Sequence, residues 1–126
     1  MPARIGLSTS SVYPESTAHG FAYAARLGYD AIEVMVGIDA LSQQTAAVRQ
    51  LSEHHGIPIC AIHAPTLLLT QRVWGTEPWG KLERSAEMAQ AVGVAPSVYM
   101  RFCQAVGFSG YSEMQDLLRS KFTDFR

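Results

Sequence analysis

The feature that most constrains this chain is a pattern repeated three times before residue 93: a short apolar run, a polar loop, then an amphipathic stretch. Arg4-Ile-Gly-Leu-Ser8 reads as a first strand, residues 31–36 as a second and residues 57–62 as a third, delivering His63 and Pro65 to a loop. Near-continuous apolar strands alternating with helices are the signature of a parallel sheet covered by helices, because each crossover returns the chain to the same end of the sheet. The intervening helices are expected at 14–27, with Ala18, Phe21, Ala22 and Ala25 inward, and after Asp39 or Ser42 as cap, with Leu41, Thr45, Val48 and Leu51 recurring at helical spacing. Gly28 and Gly56 supply the stops. A third helix is expected at about 78–92, capped by Thr76, with Pro78 in its first turn and Trp79, Leu82, Ala86 and Ala89 buried.

After Gly93 the grammar changes. No fourth strand follows. Residues 96–106 read as another helix stopped by Gly107, and Ser112-Glu-Met-Gln115 fits a capping box opening a last helix whose apolar face is Tyr111, Met114, Leu117, Leu118 and Phe122. The expected fold class is therefore α/β: a three-unit parallel (β/α) partial TIM barrel over residues 1–80, followed by an all-α helix-turn-helix segment over 81–126 that shares the third helix.

The chain is 48% hydrophobic and 17% charged, enough apolar material to build a core. Its formal net charge is −1, and the sign is spread thinly: residues 1–93 carry six basic and eight acidic side chains, residues 94–126 four and three. Neither part is a basic patch, which argues against strong non-specific nucleic-acid binding, a process driven by phosphate neutralisation. Cys60 and Cys103 lie in apolar stretches without metal-like spacing and read as buried thiols in a reducing cytosol. With no charged-then-apolar leader and no apolar run near membrane-spanning length, the expectation is a soluble, cytoplasmic protein that contacts no membrane. No metal and no cofactor is implied by the residue pattern.

Two resemblances meet in the third helix. Arg4-Ile-Gly-Leu-Ser8, Ala25-Arg-Leu-Gly-Tyr-Asp-Ala-Ile-Glu-Val34, Ile62-His-Ala-Pro65 and Trp79-Gly-Lys-Leu-Glu-Arg-Ser-Ala-Glu-Met-Ala89 resemble the sugar phosphate isomerase/epimerase family of xylose-isomerase-like barrels, over residues 1–93. Met88-Ala-Gln-Ala-Val-Gly-Val-Ala-Pro-Ser97 and Arg101-Phe-Cys-Gln-Ala-Val-Gly-Phe-Ser-Gly-Tyr-Ser-Glu-Met-Gln115 resemble the helix-turn-helix of the RpiR family of sugar-phosphate-responsive repressors, over about 85–122. Ala89 and Gly93 supply the small residue and turn glycine such a motif needs, and Tyr99 departs from it by its size.

The first resemblance implies a barrel of roughly 250 residues whose site is assembled from loops after all eight strands. Metal-dependent members draw their ion from a Glu, Asp, His, Glu set in the second half, so no turnover is expected from these 126 residues alone. Glu33 and His63 stand as remnant candidates. His63, at the end of the third strand, is either a metal or sugar-hydroxyl ligand or a loop histidine bonded to backbone. Glu33, in an apolar strand, is either a carboxylate at the barrel mouth or half of an ion pair with Arg4, and unpaired burial would raise its pKa. Ser8 to Ser11 form either a phosphate contact or a plain loop, and His19, His54 and His55 are expected on solvent-facing helix surfaces. The second resemblance exposes Ala95, Ser97, Met100, Arg101 and Gln104 on a recognition helix, with Arg101 and Gln104 suited to guanine and adenine edges.

Three functions follow as expectations. The first is a non-catalytic protein that binds a partner or self-associates through open sheet edges. The second is a small DNA-binding regulator. The third is an isomerase/epimerase fragment that acts on a sugar phosphate when complemented.

Overall fold

The computed structural model describes residues 3–65 and 68–94, together with Glu113, Asp116, Leu117, Arg119 and Ser120. The chain divides into two compact units, Met1–Gly93 and Val94–Arg126. In the second, Glu113, Asp116, Leu117, Arg119 and Ser120 are helical and exposed, Val94 is buried, and the Ser120 hydroxyl donates to the Leu117 carbonyl at 2.8 Å. The recognition-helix residues Ala95, Ser97, Met100, Arg101 and Gln104, together with Cys103, lie outside the described residues.

The first unit is a mixed α/β fold. Strands β1 (Gly6–Ser8), β2 (Ala31–Met35) and β3 (Ile59–His63) alternate with helices α1 (Thr17–Leu27), α2 (Thr45–His55) and α3 (Pro78–Ala91). The strands form one parallel sheet in the order β1-β2-β3. Ser8 registers with Glu33, Val34 with Ile62 and Met35 with His63, with an irregularity between Ile32 and Glu33. Since β-strand side chains alternate between faces, β2 sends Ile32 and Val34 to one face and Glu33 and Met35 to the other. Ile32, Val34 and the following Val36 are fully buried, as are Phe21 of α1 and Val48 of α2. Val36 packs with Val73 and with Met88 of α3, and Ile62, Trp74 and Val92 close that cluster. Glu33 and Met35 are half-buried on the opposite face.

The glycine stops are where the sequence puts them: Gly28 and Gly56 end α1 and α2 in left-handed conformation, at φ 77° and 66°. Helix starts and stripes differ from expectation. Helix α1 opens at Thr17 rather than residue 14, because the Ser16 hydroxyl accepts from the His19 amide and sets the N-cap. Its buried positions are Thr17, Gly20, Phe21 and Ala24, so Phe21 of the expected stripe is inward while Ala18 and Ala22 are half-buried and Ala25 is exposed. Gly20 is small for a reason: a Cβ there would come within 3.0 Å of the Thr9 methyl.

Asp39 caps a short 3-10 turn, Ala40–Gln43, and α2 starts afresh at Thr45 without a side-chain cap. Glu77, not Thr76, caps α3, accepting from the amides of Trp79 at 2.9 Å and Gly80 at 2.6 Å. The buried face of α3 is Lys81, Ser85, Met88 and Ala89, while Leu82 is exposed. Strand β3 opens at Ile59 rather than residue 57, consistent with Pro58 having no amide to donate, although the Pro58 carbonyl still accepts from Ile32. No described helix is long and apolar enough to cross a membrane.

Candidate functional site

The loops leaving the carboxyl ends of β1 and β2 close around a cleft of about 540 Å³, with Leu69 and Thr70 completing its wall. That is the end of a parallel sheet where ligands bind, since the strand-to-helix loops gather there. Its lining mixes apolar surface from Met35, Ile38 and Leu69 with Ser10, Ser42 and the carboxyl groups of Glu15 and Asp39. Among the described residues lining it there is no lysine, arginine or histidine.

Asp39 organises one wall. Its carboxylate accepts from the Thr17 amide at 2.8 Å, where α1 begins, and from the Leu41 amide at 3.3 Å, at the start of the 3-10 turn. Partial burial by itself would push this carboxyl up, but hydrogen bonds from the Thr17 amide and hydroxyl and from the Leu41 amide outweigh it and hold the group below its ordinary value. Ser42, fully buried, accepts from the Gly37 amide at 3.0 Å and lies 2.6 Å from the Asp39 carbonyl, fixing the loop after β2. On the β1 side, the Thr9 hydroxyl oxygen accepts from the Met35 amide at 2.8 Å. The peptide between Tyr13 and Pro14, both in the lining, is cis.

Lys81 holds the other wall. It is 5% exposed, and its ammonium donates to the carbonyls of Pro65 at 3.2 Å, Thr70 at 3.1 Å and Gln71. Three ammonium protons meet three carbonyl oxygens, which makes burial of the charge tolerable. Sequence reasoning passes over Lys81, because a lone lysine beside a helix stripe carries no mark distinguishing it from a solvated one.

Glu33 and His63 stand beside the cleft and do not line it. Glu33 accepts from the Ser8 hydroxyl at 2.9 Å rather than pairing with Arg4. Ser8 in turn lies 2.7 Å from the Ser10 hydroxyl, which does line the cleft. Because the one Ser8 proton goes to Glu33, Ser10 is the donor of that second bond. His63 ends β3 in register with the cleft residue Met35, and its Nδ1 is buried without a hydrogen-bond partner among the described residues, so the expected bond to backbone is not made there. Glu33 and His63 sit two rows apart on the same sheet face and are not brought together.

The other expectations divide. Cys60 is exposed, not buried, because it falls at the irregularity of β3 and turns toward Gly6 on the face away from Ile59. Desolvation still pushes its thiol up, its own backbone pulling part of the way back and the Glu33 charge adding to the rise. His19 and His54 are exposed, whereas His55 is half-buried with its ring stacked 6.4 Å from Phe21. Among the described residues no group of three or more His, Cys, Asp or Glu could hold a metal ion.

With this geometry in view, the chain's relatives can be placed. It is 49% identical over 90 residues to uncharacterized proteins of Mycobacterium leprae, Mycobacterium bovis and Mycobacterium tuberculosis. The match covers 71% of this chain and 32% of each relative. The chain thus spans about a third of the length of the curated relatives it matches. No family model matches the chain, and no solved structure matches it significantly.

Proposed function

We propose that residues 1–93 are three βα units of a sugar phosphate isomerase/epimerase-like barrel, and that these 126 residues act by binding rather than by turnover. The observation that carries this reading is the cleft at the carboxyl ends of three parallel strands, built from strand-to-helix loops and lined by hydroxyl and carboxyl groups over an apolar floor. Such a mixture suits a small polyhydroxylated molecule, whose hydroxyls seek acceptors and whose carbon faces seek apolar contact. The relatives support the architecture by size: 90 residues are 32% of their length, which makes them about as long as an eight-unit barrel.

Strands β1 and β3 each have a sheet neighbour on one side among the described residues. Those edges are where a second copy, or further strands of a longer relative, would add. The helix-turn-helix reading of 85–122, with DNA contacts from Ser97, Met100, Arg101 and Gln104, rests on residues outside the described ones and gains nothing from the cleft.

The test is amide NMR of the 126-residue chain titrated with a pooled panel of neutral sugars, amino sugars and sugar phosphates. Shifts are expected at Ser10, Gly37, Asp39 and Ser42, and none from any compound contradicts the cleft reading. Turnover is tested separately with ketoses and ketose phosphates in Mg²⁺, Mn²⁺ or Co²⁺. Metal-dependent conversion that His63→Ala abolishes would contradict the non-catalytic half.

A further inference from the structure

Resting on the reading of the cleft as a binding site, we infer that its ligand is a polyhydroxylated molecule without negative charge, neutral or ammonium-bearing, and that phosphorylated sugars are excluded. A phosphate needs amide N–H groups or cationic side chains, and a helix N-terminus beside a serine-rich loop is where such donors usually gather. Both features border this cleft, yet the Thr17, His19 and Ser10 amides and the Ser10 hydroxyl are already engaged within the protein.

At the start of α1 the Thr17 amide is taken by Asp39 and the His19 amide by Ser16. The Asp39 carboxylate therefore sits where an anionic ligand would have to sit. In the serine loop the Ser10 amide donates to the Ser8 hydroxyl, and the Ser10 hydroxyl does the same. After β2 the Gly37 amide goes to Ser42 and the Leu41 amide to the other Asp39 oxygen.

What remains facing the cleft is weighted toward acceptors. The Ser10 oxygen keeps its lone pairs, Asp39 keeps a negative charge, and Glu15, hydrogen-bonded by the Tyr23 hydroxyl, brings a second carboxyl group to the lining. Lys81 spends its three protons on the carbonyls of Pro65, Thr70 and Gln71. A phosphate brought here would meet like charge without compensation, and the repulsion is large where water is partly excluded. A sugar hydroxyl or an ammonium group would instead meet acceptor oxygens and a negative charge.

The experiment compares three ligands on one ring, glucose, glucosamine and glucose 6-phosphate, titrated into the full chain and read at the Ser10, Asp39 and Ser42 amides. Glucosamine should bind severalfold more tightly than glucose, with an affinity that falls as salt rises, and glucose 6-phosphate should bind more weakly than glucose or not at all. Asp39→Asn should erase the glucosamine advantage. Glu15→Gln, at an exposed position, should reduce it even if the Asp39 variant fails to fold. Glucose 6-phosphate binding at these amides as tightly as glucose would overturn the inference and leave the cleft reading standing. Failure of all three to bind would remove both.

Discussion

Asp39 and Lys81 tie opposite walls of the cleft by opposite chemistry. Asp39 is a carboxylate gathering two amides from chain segments that begin a helix and a turn, and it stays partly open to the cleft. Lys81 is an ammonium gathering three carbonyls from the loop after β3, and it is almost wholly enclosed. Amides concentrate at helix starts and carbonyls in irregular loops, so each tether carries the charge that its segment lacks. The lesson lies in the difference in exposure. With the positive tether hidden and the negative one facing inward, the cleft inherits an acidic character that the chain's near-neutral net charge conceals.

The comparison breaks most sharply at Lys81. Lys81→Met leaves the carbonyls of Pro65 and Gln71 without their donor, while the Thr70 carbonyl keeps the Val73 amide at 3.0 Å. Pro65 is buried, so water cannot step in freely at its carbonyl. A loss of about 1–3 kcal/mol is expected in denaturant unfolding, since a buried acceptor left without a partner costs that much. An unchanged midpoint would mean the loop is held by other contacts.

Asp39→Asn should cost less, about 1 kcal/mol, because the amide oxygen of asparagine can still accept from Thr17 or Leu41. The sharper signature is in pH. Since folding holds this carboxyl below its ordinary value of 3.8, its contribution is complete above that value and is lost as pH falls through the lower folded one. The parent chain should lose stability over that acid window more steeply than Asp39→Asn. The group is partly exposed, so salt should flatten the difference. Parallel acid limbs for the two proteins would contradict the assignment.

The smallest effect concerns Cys60. Because desolvation and the Glu33 charge both raise its thiol, alkylation by iodoacetamide should be slow at neutral pH in a Cys103→Ser background. Glu33→Gln should speed it severalfold at most. No acceleration would place Glu33 too far from the thiol to act on it.

These residues also mark what could be read beforehand. The strand order and the glycines at 28, 56 and 93 were legible because apolar runs and left-handed stops are written locally. Of the α1 face Phe21 was legible and Gly20 was not, because Gly20 faces inward by close approach to Thr9, which hydrophobicity does not report. Asp39 was legible as a cap but was assigned to α2 instead of the turn before it, since both starts lie within six residues. Lys81 carried no signal, its partners being backbone atoms ten to sixteen residues away. Glu33 and His63 were found by residue type, and neither lines the cleft, whose wall is made by the loop residues beyond them.

The claim on which the account turns is that the donors at the carboxyl end of the sheet are spent internally. Amide hydrogen exchange of the 126-residue chain reads this directly. The amides of Thr17, Met35, Gly37 and Leu41 should exchange markedly slower than open amides, although Thr17 and Leu41 begin elements where protection is usually absent. Inorganic phosphate should slow none of them further. Fast exchange at these positions, or protection that appears when phosphate is added, would contradict it.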